Sequence, residues 1–208
     1  MLKKEKRIQM KKISNFKNRK LVKTPEQIEG IRKAGLLNNA VLDEVARHIH
    51  KGMSTEDINK IVHEYTISHG GIPAPLNYEG FPKSVCTSIN EVVCHGIPSE
   101  DEILEEGDII NVDVTTILDG YYADASRMFI IGKITPEREH LVKVAKECLE
   151  LGIKAIHPYC HVGDIAAAIT KHAHDNGLYV VKNKKTKRLF SLSCAVNCLH
   201  GERGEDGA

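Results

Sequence analysis

The 208-residue chain is 41% hydrophobic and 27% charged with a net charge of +1, a balance that argues against a dedicated nucleic-acid binder. Its length suits one domain, or two small ones, with a real core. No run approaches about 18 consecutive apolar residues and no apolar stretch follows the N-terminus, so neither a membrane span nor a secretory signal is expected.

Residues 1–23 hold ten Lys/Arg against a single acid, Glu5. Such a run reads as a disordered, solvated basic arm. Contact with the ribosome, salt-dependent as all phosphate contacts are, is the competing role. Order is expected to begin at Thr24-Pro25-Glu26-Gln27. Thr24 can cap a helix, Pro25 suits its first position and Gln27 completes a capping box. Ile28, Ile31, Leu37, Val41, Val45 and Ile49 then recur at roughly helical spacing until Gly52. A second helix is expected from about Thr55, capped near Ser54 and stopped by Gly70-Gly71. Residues 73–82 read as a loop with Tyr78 and Phe81 at its tip, and a short β-run follows at 85–89. Beyond a hairpin at 110–129, helices are expected over 137–156 and from after Gly163-Asp164 to Asn176-Gly177. Helices, strands and helices in that order predict an α+β fold. The six cysteines (Cys86, Cys94, Cys148, Cys160, Cys194 and Cys198) form no CxxC pair and read as free thiols in a reducing cytoplasm.

The hairpin carries the chemistry. In INVDVTTILDGYYADASRMF, β-formers run up to Asp119-Gly120, a dipeptide suited to a two-residue type I′ turn, and resume after it. If Leu118 pairs with Tyr121, then Thr115 faces Asp124 and Asp113 faces Ser126. Side chains alternate with period two, so Asp113 and Asp124 share one face as diagonal neighbours, while Val112, Val114, Ala123 and Ala125 share the other. Aspartate is a poor strand residue, and two carboxylates converging on one face repel unless a cation lies between them. One divalent metal or a pair is the economical explanation. The competing reading is a solvated face with two incidental acids.

Upstream lies FPKSVCTSINEVVCHGIPSEDEILEEGD, with His95 in Cys94-His95-Gly96-Ile97-Pro98, followed by NVDVT and DAS. Together these motifs closely resemble the type I methionine aminopeptidases, over about Thr24 to Val181. The resemblance implies a pita-bread fold, removal of the initiator methionine from nascent polypeptide N-termini, and two divalent metal ions, of Mn, Fe, Co or Mg. It implies that Asp124 bridges the metals, that Asp113 holds one, and that His95 contacts the substrate near the scissile peptide. Tyr78, Phe81 and Cys86 match positions lining the methionine side-chain pocket. A cytoplasmic monomer is the expected form.

The family's further ligands are a histidine in Gly-His-Gly and, later, two glutamates. Here residues 24–181 read as a partial aminopeptidase domain and residues 182–208 as a divergent tail. The tail opens with five basic residues in seven, and Cys198-Leu199-His200-Gly201 is only an echo of the histidine motif. Two aspartates offer at most four oxygens, short of two sites wanting five or six ligands each. A member of the family with an incomplete second half and deficient activity is therefore expected. The alternative is a non-catalytic pita-bread protein that binds peptides or the ribosome and is indifferent to chelation.

Overall fold

The computed structural model describes residues 22–178, together with the backbone of 181–182 and 189–190. The basic arm before Val22 and the echo at His200 lie outside the described residues. The chain runs α1 (Pro25–His48), α2 (Thr55–Ser68), β1 (Ile72–Pro73), a 3-10 turn (Tyr78–Gly80), β2 (Cys86–Ile89), β3 (Ile109–Leu118), β4 (Tyr121–Ile130), α3 (Pro136–Lys154), α4 (Val162–Asp175), β5 (Val181–Lys182) and β6 (Leu189–Phe190).

Both first helices start where their caps predict. The Gln27 amide donates to Thr24 Oγ1 at 3.3 Å while Gln27 Oε1 accepts from the Thr24 amide at 2.9 Å, a reciprocal capping box. Ser54 and Asp57 repeat the arrangement at α2. The buried positions of α1 (Ala34, Leu37, Asn38, Val41, Leu42 and Val45) recur every three or four residues, so one stripe faces inward. Gly52, at φ +87°, supplies the left-handed turn into α2.

β3 is the centre of an antiparallel sheet, flanked along its whole length by β4 and on its other edge by β2 and the short β1. α1 lies across β3 and β4, and α2 packs against α1 and β1. Val112 and Val114 point to this helical side and join Val41, Leu42, Ile58 and Val62 in the main core. A buried polar contact crosses it, where Thr116 Oγ1 donates to Asn38 Oδ1 at 2.7 Å. α3 and α4 pack on each other around a smaller cluster of Val144, Cys148, Ile169 and Ala173.

Three local features depart from the sequence expectation. Ile72 and Pro73, the latter the first residue of the expected 73–82 loop, pair with β3, and a two-residue strand has no periodicity to show. α4 begins at Val162, ahead of Gly163, because the Asp164 side chain accepts from the His161 amide and caps the helix earlier. Finally, Val181 pairs with Phe190 and Lys182 with Leu189, a short antiparallel contact in a segment that reads as aperiodic.

Candidate metal and substrate site

The hairpin turns at Asp119 (φ +51°) and Gly120 (φ +80°), both left-handed, as a type I′ turn requires. The register follows: Leu118 pairs with Tyr121, Thr115 with Asp124 and Asp113 with Ser126. Asp113 and Asp124 therefore lie on the face turned away from α1, diagonal to each other with backbones about 7–8 Å apart. They differ in setting. Asp113 is 9% exposed on the central strand, whereas Asp124 is exposed on β4. Thr115 Oγ1 donates to Asp124 Oδ1 at 3.0 Å and orients that carboxylate.

β2 adds a third neighbour to the face. Cys86 pairs with Asp113 across the sheet, so Cys86, Asp113 and Ser126 form one row over three strands. Burial pushes the Cys86 thiol up to about 12, and the negative charges of Asp113, Cys94 and Asp124 push it the same way. That cross-talk brings Cys94, which the sequence left as an ordinary free thiol, into the same neighbourhood.

His95 is exposed on the loop after β2 at φ +55°, a left-handed conformation uncommon outside glycine. The loop is tied down at several points. The Thr87 amide donates to Gly96 O at 2.9 Å and the Gly96 amide to Ser88 Oγ at 3.4 Å. Asn90 Nδ2 donates to Asp108 Oδ1 at 2.8 Å, while Asn90 Oδ1 accepts from the Ile109 amide at 3.2 Å. Further along, the Ser99 amide donates to Thr55 Oγ1 at 2.9 Å, pinning the segment to the start of α2. Asn90 and Ser88 make these contacts through their side chains, Gly96 and Ser99 through backbone atoms. Tyr78 and Phe81 sit on the turn preceding β2, Tyr78 61% exposed and Phe81 half-buried.

Whether a metal suits these residues is decided by their donors. Two convergent carboxylates, one held in a buried strand and one oriented by a hydroxyl, suit a hard divalent cation, and their mutual repulsion favours one. Among the described residues no group of three or more His, Cys, Asp or Glu is placed to hold a metal. The pair fits part of a coordination shell, and among the described residues no third His, Cys, Asp or Glu joins it.

A buried aspartate on the central strand of an antiparallel hairpin, a second diagonal to it and a pinned histidine loop belong to a metallopeptidase pattern. The chain belongs to metallopeptidase family M24, whose sequence profile matches residues 29–200. That match runs past Val181, where the motif resemblance was expected to stop. The family is metal-dependent, and its structures have the pita-bread fold, of which this chain presents part.

Within the family, the similarity is to methionine aminopeptidases. Methionine aminopeptidase A of Synechocystis sp. is 52% identical over 157 residues, covering 76% of this chain and 62% of that protein. Methionine aminopeptidase 1A of Arabidopsis thaliana is 43% identical over 185 residues, covering 88% of this chain and 46% of that protein. The crystal structure of methionine aminopeptidase from Rickettsia prowazekii superposes with a TM-score of 0.76 at 42% identity, covering 78% of this chain and 65% of that one. The chain thus spans less than two thirds of the length of these relatives. Among the described residues no helix is long and apolar enough to cross a membrane.

Proposed function

We propose that this chain carries the first part of the active centre of a methionine aminopeptidase, acting on the initiator methionine of nascent polypeptides in the cytoplasm. The observation that carries the reading is the shared face of Asp113 and Asp124, in a chain of family M24. Asp113 and Asp124 are the ligands this part contributes to a pair of divalent ions, of Mn, Fe, Co or Mg. Divalent ions held there would supply Lewis acidity to the scissile carbonyl and lower the pKa of water.

The chain's own residues do the rest. Asp113, on the buried central strand, gives a rigid ligand; Asp124, oriented by Thr115, gives an accessible one. His95, held by the Gly96 contacts, hydrogen-bonds the substrate beside the scissile peptide. Cys86, Tyr78 and Phe81 line the pocket for the methionine side chain. The neutral thiol of Cys86 suits a thioether better than a thiolate would. The basic arm of residues 1–23 is the proposed ribosome contact, and the chain acts as a monomer.

The test is Mn²⁺ binding to the 208-residue chain followed by electron paramagnetic resonance, alongside methionine release from a Met-Gly peptide. Binding that is weak in the wild type and lost in both Asp113→Asn and Asp124→Asn supports the reading. Metal-dependent release lost in Asp113→Asn would extend it to activity of this chain. Mn²⁺ binding unchanged in both variants overturns it. Peptide binding that persists unaltered under chelation would favour the non-catalytic alternative.

A further inference from the structure

We infer that His63 is a positioning residue which, acting through Ser84, sets how β2 presents Cys86 to Asp113 and so fixes one wall of the side-chain pocket. The inference rests on the roles proposed above for Cys86 and Asp113.

β2 spans only Cys86–Ile89, too short to hold its own entry by sheet pairing alone. Its first residue, Cys86, is also the one that faces Asp113. The end pair of a short ladder frays first, so whatever anchors residues 83–85 controls that pair. The anchor is a stripe on α2. Glu56, Asn59 and His63 follow one another at spacings of three and four, which places them on one side of the helix.

Each grips the incoming segment. Lys83 Nζ donates to Glu56 Oε2 at 2.6 Å, the Ser84 amide donates to Asn59 Oδ1 at 2.8 Å, and Ser84 Oγ lies 2.8 Å from His63 Nδ1. Ser84 is 2% exposed and Val85 is fully buried, so in the intact protein the segment enters the core as soon as it passes His63. Val85 then enters the main core, and the next residue is Cys86. The His63 contact is the one that reaches the Ser84 side chain. It survives either charge state of the ring, because a neutral Nδ1 can accept from the hydroxyl and a protonated one can donate to it.

The test uses the full chain without metal, under chelation, and reads iodoacetamide labelling of each cysteine by peptide mass spectrometry at one pH. Cys148, buried in the separate α3–α4 cluster, reports any opening that spreads beyond the β2 region within the same molecule. In His63→Ala, labelling of Cys86 should accelerate about three- to tenfold, the range one buried hydrogen bond supplies, with Cys148 unchanged. His63→Asn, whose amide can reproduce the Nδ1 contact, should restore the slow rate. An unchanged Cys86 rate, a parallel rise at Cys148, or no rescue by asparagine would each overturn the inference. Should His63→Ala not fold, Ser84→Ala removes the same contact and is read by the same ratio of rates. Because no metal is present, a failure of the metal reading shows in the Mn²⁺ experiment and not here.

Discussion

Gly96→Ala isolates the packing that holds the histidine loop on the sheet. Gly96 has an ordinary φ, so an alanine there is barred by space and not by backbone conformation. An added Cβ would lie 1.9 Å from the Thr87 carbonyl oxygen and 2.9 Å from its carbon. Both are backbone atoms of β2, and β2 is backed by β3 through the pairing of Thr87 with Val112. The strand cannot yield, so the loop must retreat by more than about 1 Å to reach ordinary contact. Retreat sacrifices the Thr87 amide's bond to Gly96 O. Overpacking of about 1–3 kcal/mol plus about 1 kcal/mol for the lost bond gives a destabilisation of about 2–4 kcal/mol. Urea denaturation of wild type and variant measures it. His95, strained at φ +55° beside the substituted glycine, would be free to relax, so any methionine release should fall as well.

Gly30→Ala is the control for this reasoning. Its Cβ would come within 2.4 Å of Tyr121, but only of ring atoms that can swing aside. Alanine also gains about 1 kcal/mol over glycine inside a helix. The net change should lie near zero. A Gly96→Ala cost below about 0.5 kcal/mol, or a larger cost at Gly30, would refute the argument that backbone atoms and not side chains make the site intolerant.

Leu42→Ala, at a 2% exposed position in the main core, should destabilise the chain by about 2–5 kcal/mol in the same urea titration. Ser54→Ala removes the α2 cap and should cost about 0.5–2 kcal/mol at neutral pH. Hydrogen bonds from Ser54 hold the Asp57 carboxyl below the usual carboxylate range. A depressed folded pKa gives stability that is present above the unfolded value and lost as pH falls through the folded one. The difference between wild type and Ser54→Ala should therefore shrink below about pH 4 in thermal melts. At pH 8 iodoacetamide should label exposed Cys94 well before Cys86, whose thiol is pushed up to about 12; equal rates would contradict the half-buried, carboxylate-flanked placement of Cys86.

Much of this protein was legible in the amino-acid order because its signals are local. Thr24 with Gln27 set the start of α1, and Ser54 starts α2 as expected. The Asp119-Gly120 turn leaves one register for its strands, and a period of two then assigns Asp113 and Asp124 to one face without any knowledge of the fold. Tertiary structure alone decided what distinguishes those carboxylates. β3 is flanked on both edges, so Asp113 is buried, while Asp124 on β4 stays exposed. It also decided the bracing of the site. The contact of His63 with Ser84 spans 21 residues and that of Thr55 with Ser99 spans 44, between segments that share no period. Periodicity reports which side of an element a residue occupies. Which distant segment comes to meet it depends on how the helices and the sheet close over their common core.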